Sequence, residues 1–352
     1  QDQVGGQKRA ACFKTGAGSP SAHGNRQDAR SQHSDLFPVL MRVVDLFCGT
    51  GGMSLGLKNA GFDIVRSIDS WQKAVDVYRL NLGDHVRRMD LSDVELAVKR
   101  IGKSRPDLIC GGPPCQDFSL ANTYNRNPEG DRADLTRCFA EIVAGVKPRY
   151  FLMENVPAAA ITDTWAFAKK VLEGAGYRIV EMILDASECG VPQARKRFFV
   201  FGSFDEERIR EFARSAIARR TEPVSVKDWL GDKIDVEHFW REPHHMNNEH
   251  SVWSVHDPAP TLAARMREMN PPPRPEVQHR MDPVHPQTVR GLTLEERGWL
   301  QTFPDDWDWG GQAKRDVYRM IGNAVPPKLA EYVGISVKDA DAHEPTGRYF
   351  EF

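Results

Sequence analysis

The sequence predicts an α/β fold built on a doubly wound, mostly parallel sheet, with a second, small irregular domain beside it. Three observations predict it. Short apolar runs of strand length alternate with segments of helical spacing between Val43 and Phe204, the pattern of successive βαβ units. The first run ends in a glycine turn, Gly49-Thr50-Gly51-Gly52, that opens a helical stretch. Several later runs end at a residue that carries chemistry, and the carboxyl ends of parallel strands are where such sheets bind ligands.

At 352 residues the chain can bury a full core and has room for two domains. Charged residues make up 27% and apolar residues 40%, the balance of a soluble globular chain. No apolar run approaches the ~18 residues of a membrane span. The polar N-terminus has no apolar signal core, so secretion is not expected. The six cysteines (Cys12, Cys48, Cys110, Cys115, Cys138, Cys189) are scattered, without a Cys-x-x-Cys pair. That speaks against a zinc site or a disulfide framework and fits a reducing cytosol, so no metal is assigned. The net charge of −2 gives no sign of nucleic-acid binding, and any basic surface must be local.

Residues 1–40 are rich in Gly, Ser, Gln, Asn and Ala and predict a disordered tail upstream of Met41. A strand over 43–47 and a helix over 53–60 flank the glycine turn, whose amides favour an anionic group. No lysine follows the glycines, which excludes a phosphate-binding P-loop. A strand over 64–68 ends at Asp69, placed either to accept from ribose hydroxyls or to cap the next segment. Residues 85–89 lead to Asp90, which either caps 91–93 or accepts from an adenine amino group.

The run 108–110 enters Gly111-Gly112-Pro113-Pro114-Cys115-Gln116-Asp117-Phe118-Ser119. Pro113 and Pro114 fix φ and remove two donors, so the chain turns stiffly. Cys115 is then either a nucleophile on a rigid loop or an incidental buried thiol. Residues 121–132 are polar and turn-rich and predict a mobile surface loop. Leu135, Cys138, Phe139, Ile142, Val143 and Val146 recur at helical spacing, which makes Cys138 a core residue. A buried strand over 150–153 ends at Glu154 and Asn155. A helix over 165–172 is closed by Gly174 and Gly176, and strands over 178–184 and 198–204 flank Gln193-Ala194-Arg195-Lys196-Arg197. The turn 49–52, Asp69, Asp90, Cys115 and Glu154 each follow a predicted strand, so the sheet brings them to one edge. A nucleotide-like cofactor, a thiol and a carboxyl group would share one cleft there.

Between 204 and 289 the alternation stops. Trp229, Trp240, Trp253, prolines and histidines dominate, and Pro271-Pro272-Pro273-Arg274-Pro275 is a stiff elbow. The histidine spacing matches no metal-ligand template. The segment 260–265, with Thr261 and Arg265, resembles a backbone-positioning element. Regularity returns at Thr288, with Thr293 a possible N-cap for a helix that packs Leu294, Trp299 and Leu300 onto the core. Residues 320–327 lead into a final helix over 328–333, and from Lys338 the chain reads as frayed. The expected organisation is a tail over 1–40, a main domain over 41–204 plus 288–337, a small domain over 205–287, and a flexible tail over 338–352.

These blocks resemble, in order, those of the C5-cytosine DNA methyltransferase family. Asp45-Leu46-Phe47-Cys48-Gly49-Thr50-Gly51-Gly52 looks like its cofactor loop and Pro113-Pro114-Cys115-Gln116 like its nucleophile loop. Glu154-Asn155-Val156 and Gln193-x-Arg195-x-Arg197 look like its catalytic-pocket blocks. Residues 290–307 and Gly322-Asn323-Ala324-Val325-Pro326-Pro327 look like its C-terminal blocks. The resemblance implies a Rossmann-like catalytic domain, with 205–287 reading the target sequence. It implies S-adenosyl-L-methionine as cofactor. Phe47 would stack near the adenine, Asp69 would bind the ribose and Asp90 the adenine amino group. The amides of Gly49, Gly51 and Gly52 would meet the methionine carboxylate, and Pro114, Asn323 and Val325 would complete the pocket.

The implied reaction is methylation at C5 of a cytosine flipped out of a specific double-stranded DNA site. Cys115 would add to C6, Glu154 would transfer a proton at N3, Arg197 would orient the base and Asn155 would hold the loop. Arg195 would contact phosphate or form an internal ion pair. Ser119, Gln193, Thr261 and Arg265 would contact DNA. The implied setting is a monomer in a prokaryotic cytoplasm, on the nucleoid, with a cognate restriction endonuclease acting separately. A tRNA-cytosine methyltransferase of the same family is a rival, disfavoured because Asp117-Phe118-Ser119 stands where that branch usually has Pro-Phe-Thr. A non-catalytic DNA-binding adaptor is another, and it need not keep Cys115, Glu154 and Arg197 together. An NAD-dependent oxidoreductase is disfavoured by Ser54, where the last glycine of its pattern belongs.

Overall fold

The computed structural model describes residues 40–114, 134–241, 251–264, 279 and 281–343. Strands β1 (Arg42–Leu46), β2 (Asp63–Asp69), β3 (Val86–Arg88), β4 (Leu108–Gly111), β5 (Tyr150–Asn155), β6 (Arg178–Asp185) and β8 (Lys196–Ser203) form one sheet. Its order is β3-β2-β1-β4-β5-β8-β6. β8 runs antiparallel between β5 and β6, and the other neighbours are parallel. The register sets Asp45 beside Cys110, Leu46 beside Gly111, and Gly111 beside Met153. The carboxyl ends of β1, β4 and β5 are therefore level, which brings the residues that follow them together.

Both faces of the sheet are covered, which is why its strands read as continuous apolar runs rather than alternating ones. On one face α1 (Gly52–Asn59), α6 (Glu206–Ala218) and α10 (Pro327–Ala342) bury Leu57, Phe212 and Val333 against Val43, Leu108 and Phe201. On the other, α3 (Val94–Gly102), α4 (Leu135–Val146) and α5 (Asp163–Gly174) bury Ile101, Phe139 and Leu172 against Val44, Ile109 and Phe151. Each such apolar side chain contributes about 1.5–3 kcal/mol by leaving water. Asp93, Asp134, Thr162 and Asp205 cap the N-termini of α3, α4, α5 and α6 with side-chain acceptors. α2 (Gln72–Leu82) buries Val75 and Tyr78 beside Cys48 and Val86. Cys138 lies in α4 as a buried residue, as its spacing predicts.

A smaller core collects α7 (Val226–Leu230), β9 (His238–Trp240), β10 (Val252–Ser254), β11 (Ala259–Pro260), α8 (Leu294–Leu300) and α9 (Lys314–Asn323) around Leu230, Phe239, Leu262, Leu300 and Ile321. The two-residue β7 (Gln193–Ala194) pairs with β11 and ties this part to the chain before β8. Thr293 caps α8 in a full capping box with Glu296.

Three boundaries differ from the sequence expectation. α6 packs Ile209, Phe212 and Ala216 into the main core, so the alternation continues past 205. α8 and α9 bury Leu300, Val317 and Ile321 in the small core, so 288–337 is shared between the two cores. α10 runs to Ala342 with Ala340 fully buried, so the ordered chain extends beyond 338. The tail 1–39, the loop 121–132 and the elbow 271–275 lie outside the described residues.

Candidate active site

The turn after β1 is built by backbone conformations that few residues tolerate. Phe47 has φ 58° and Gly49 φ 53°, and Gly51, the N-cap of α1, has φ 96°. A left-handed φ costs a residue with a Cβ roughly 1–2 kcal/mol, so Phe47 is held there by its surroundings. Asp69, at the end of β2, braces the same turn two residues further on. Its Oδ2 accepts from the Gly49 amide at 2.8 Å and its Oδ1 from the Trp71 amide at 2.8 Å. Gly52 is required by a close approach: a Cβ there would lie 2.2 Å from the Val325 carbonyl oxygen. The glycine turn therefore docks directly against the 322–327 block.

These elements enclose one cavity of about 510 Å³ at the carboxyl ends of β1, β2, β4 and β5. Phe47, Gly49, Gly52 and Asp69 line one side, Pro113, Pro114, Glu154, Asn155 and Arg197 another, and Asn323 and Val325 a third. The convergence expected from the ends of the strands is thus present for Gly49, Gly52, Asp69 and Glu154. Cys115 follows Pro114 and, with Ser119 and Arg265, lies outside the described residues. A second cavity of about 420 Å³, lined by Trp229, Trp299 and Phe303 among others, holds none of the expected site residues.

Glu154 is buried, and Arg197 Nε stands 2.9 Å from its Oε1. Burial pushes the Glu154 carboxyl up; Arg197 and Arg195 pull it down, and burial dominates. Gly112 leaves room for this carboxyl, since a Cβ there would lie 3.0 Å from Glu154 Oε2. Asn155 Nδ2 donates to the Pro113 carbonyl at 3.2 Å, which pins the start of the Pro-Pro loop to the end of β5.

Several residues expected to meet a ligand have partners within the protein. Gln193 is fully buried; its Nε2 donates to Gln301 Oε1 at 2.8 Å, and its Oε1 accepts from the Leu262 amide at 3.0 Å. It is a clamp inside the protein and presents nothing to DNA. Arg195 is equally buried and donates to the carbonyls of Leu262, Gly322 and Ala324. Among the described residues it forms no ion pair with a carboxylate; it fastens the 322–324 block to the strand end. Asp90 is exposed and accepts from the Ser92 amide at 2.9 Å, which is the capping alternative the sequence offered; it is not part of the cavity wall. The Gly49 amide, expected to meet a carboxylate of the ligand, is already engaged by Asp69. Gly51 is also absent from the wall; its place is beneath Tyr78 and Leu82. Thr261 donates to the Ala194 carbonyl at 2.8 Å on the β7–β11 side.

Sequence reasoning missed Trp71, Arg319, Asp45 and Thr50 as wall residues. Arg319 lies over the Trp71 ring at 4.6 Å, a cation–π contact, and its charge opposes the upward push of burial on Asp69. Arg319 sits on α9, a helix the sequence did not predict, so no signal pointed to it. Asp45 stood in the glycine-turn block without a role. It is buried, accepts from Ser54 Oγ at 2.6 Å through Oδ2, and leaves Oδ1 without a partner among the described residues beyond the weak thiol donor of Cys110. Thr50 Oγ1 is likewise buried without a partner among the described residues.

Residues 41–339 match the model of a family described as C-5 cytosine-specific DNA methylase. Type II methyltransferase M.HindV of Haemophilus influenzae is 39% identical over 301 residues, covering 84% of this chain and 96% of that protein. Type II methyltransferase M.HgiDI of Herpetosiphon aurantiacus is 38% identical over 300 residues, covering 85% and 94%. Among solved structures, S. pombe Dnmt2 methyltransferase superposes with a TM-score of 0.62 at 22% identity, over 83% of this chain and 96% of that one. Entamoeba histolytica methyltransferase EhMeth gives 0.64 at 15% identity, over 87% and 100%. These two likenesses speak to the fold. No helix among the described residues is long and apolar enough to cross a membrane.

Proposed function

We infer the reaction from a fixed premise: the chain belongs to the C-5 cytosine-specific DNA methylase family. It is a DNA cytosine-5 methyltransferase of the modification type. The Type II names of its relatives support a role as the modification partner of a restriction endonuclease. The observation that carries the reading of the site is the single cavity joining the glycine turn and Asp69 to Pro113-Pro114, Glu154 and Arg197.

The residues of this cavity fit S-adenosyl-L-methionine. The Asp69 carboxylate, the rings of Phe47 and Trp71, Asp45 Oδ1 with only the weak Cys110 thiol as donor, and Thr50 Oγ1 with no partner among the described residues suit an adenosine with a charged amino-acid end. Asn323 and Val325 close the pocket from the C-terminal block. When bound, the cofactor supplies an electrophilic methyl group. Cytosine C5 is a weak nucleophile, and addition of the Cys115 thiolate to C6 makes it an enamine carbon able to take that methyl. Glu154 hydrogen-bonds the base edge and transfers a proton at N3, which its raised pKa suits. Arg197 holds the Glu154 carboxyl and orients the ring, and Asn155 keeps the Pro-Pro loop in register. Loss of the C5 proton then expels Cys115. The target base must leave the duplex stack for this chemistry; Ser119, Thr261 and Arg265 are the proposed DNA contacts.

The test is methylation of mixed-sequence duplex DNA with a labelled methyl donor, followed by bisulfite mapping. The reading predicts methylcytosine at one short sequence. Transfer to tRNA with none to DNA would favour the rival branch. Cys115→Ala should abolish transfer while cofactor affinity stays within about threefold of wild type. An active alanine variant would remove Cys115 from the mechanism.

A further inference from the structure

We propose that Asp45, Ser54, Ser67, Tyr78 and His85 form a proton relay from the cavity wall to the surface, through which Asp45 gains or loses its proton as the methyl donor binds. The coupling to the ligand rests on the cofactor reading above; the relay itself does not.

The geometry is an unbroken chain. Ser54 Oγ donates to Asp45 Oδ2 at 2.6 Å and lies 3.2 Å from Ser67 Oγ. Ser67 Oγ is 2.7 Å from Tyr78 Oη, which is 2.8 Å from His85 Nε2. Every interior link is a hydroxyl, which donates one hydrogen bond while accepting another. The chain therefore has two complete orientations. With Asp45 ionised, hydrogens run from His85 Nε2–H through Tyr78, Ser67 and Ser54 to the carboxylate. With Asp45 protonated, they run the other way and end on the lone pair of Nε2. Moving one proton along each link converts one orientation to the other. A proton leaves Asp45 as one arrives at His85, and no bond other than O–H and N–H changes.

The two ends differ as a relay requires. Asp45, Ser54 and Ser67 are buried, whereas His85 is only half-buried and reaches solvent. Burial pushes the Asp45 carboxyl up to about 7, with the Asp69 charge adding to it and Ser54 and Cys110 opposing it. The other titratable neighbour is Cys48, whose thiol burial holds protonated. Burial and then Lys58 hold His85 below its usual range, with Arg87 adding and Asp63 opposing. Asp45 therefore changes charge near neutrality, within a wall that also carries Asp69.

The methyl donor is a sulfonium cation, and the demethylated product is a neutral thioether. An ionised Asp45 favours the cation over the thioether, so preference for the donor should increase as pH rises through 7. Calorimetric titration with S-adenosyl-L-methionine and with S-adenosylhomocysteine should show the affinity ratio moving at least about threefold toward the donor between about pH 5.5 and 8.5. Asp45→Asn should flatten that ratio. In the ligand-free protein, the infrared carbonyl stretch of a protonated carboxyl should titrate near 7 and vanish in Asp45→Asn. After a pH jump, Tyr78→Phe, which keeps the ring and its packing, should slow that band's response by at least about tenfold. An equal rate in Tyr78→Phe overturns the relay. A ratio that is independent of pH in the wild type overturns the coupling. Failure to bind either ligand at any pH overturns the cofactor reading and the coupling with it, while the infrared result still decides the relay.

Discussion

Asp69 shows how a single side chain can serve structure and site together. Its two oxygens accept from the Gly49 and Trp71 amides, and the same carboxylate lines the cavity. Each oxygen has a second lone pair, so a ribose hydroxyl can still be accepted. Asp69→Asn replaces one acceptor with a donor facing an amide. We expect it to weaken cofactor affinity at least about tenfold and to cost about 1–3 kcal/mol of stability, measured by calorimetry and denaturant titration. Asp45 is a cleaner electrostatic case. Its folded-state pKa of about 7 lies above its unfolded value of 3.8. Its contribution to stability is therefore fully present below pH 4 and is lost as pH rises through 7. Asp45→Asn should match the wild type near pH 4 and exceed it above pH 8 by about 4 kcal/mol. A constant difference across that range would contradict the buried, proton-binding state of this carboxyl.

At the scale of elements, the pocket depends on how closely α1 meets the C-terminal block. Gly52 faces the Val325 carbonyl and Gly56 the Pro327 carbonyl, each leaving 2.2 Å for a Cβ. Gly52→Ala must push this block outward. A loss of about 1–3 kcal/mol, with weaker cofactor binding, is the expected outcome. The far end of α10 was not legible in the sequence because its anchors are small or polar. Ala340 is buried, Asp339 accepts from Ser215 Oγ at 2.6 Å, and Asp341 accepts from Tyr150 Oη at 2.9 Å. Truncation before Lys338 should lower stability by about 2–4 kcal/mol, whereas a frayed tail would leave the melting temperature unchanged. α6 was hidden for a related reason. Its stripe of Ile209, Phe212 and Ala216 is narrow and sits among arginines and glutamates. The strands, by contrast, announced themselves, because burial on both faces leaves little polar sequence within them.

Across the whole molecule, Arg195 is the residue that joins the parts. It lies between the two cores and donates to Leu262, Gly322 and Ala324, partners 67 to 129 positions away. Gln193 and Gln301 extend the same clamp, and Gln301 Nε2 also donates to the Ala324 carbonyl at 2.6 Å. A Gln-x-Arg-x-Arg segment read alone suggests contacts with a ligand. Only the folded chain reveals carbonyls that arrive from so far away. This is why the ends of the strands, the glycine turn and the capping role of Asp90 were legible while the roles of Gln193 and Arg195 were not. Local order follows from short-range pattern, but polar partners are assigned by topology. Arg195→Met would strand those carbonyls, and we expect a stability loss of roughly 3 kcal/mol or more. Arg197→Met, which leaves the buried Glu154 carboxyl without its ion-pair partner, should also cost stability and should remove activity.

The most direct test of the proposed chemistry is covalent capture on duplex DNA whose target cytosine carries fluorine at C5. Methyl transfer then leaves no proton at C5 to be lost, so the adduct persists. With S-adenosyl-L-methionine present, peptide mapping should find the DNA joined to Cys115 and to none of the other five cysteines. A stable adduct at a different residue, or methylated DNA that never passes through an adduct, would contradict the account.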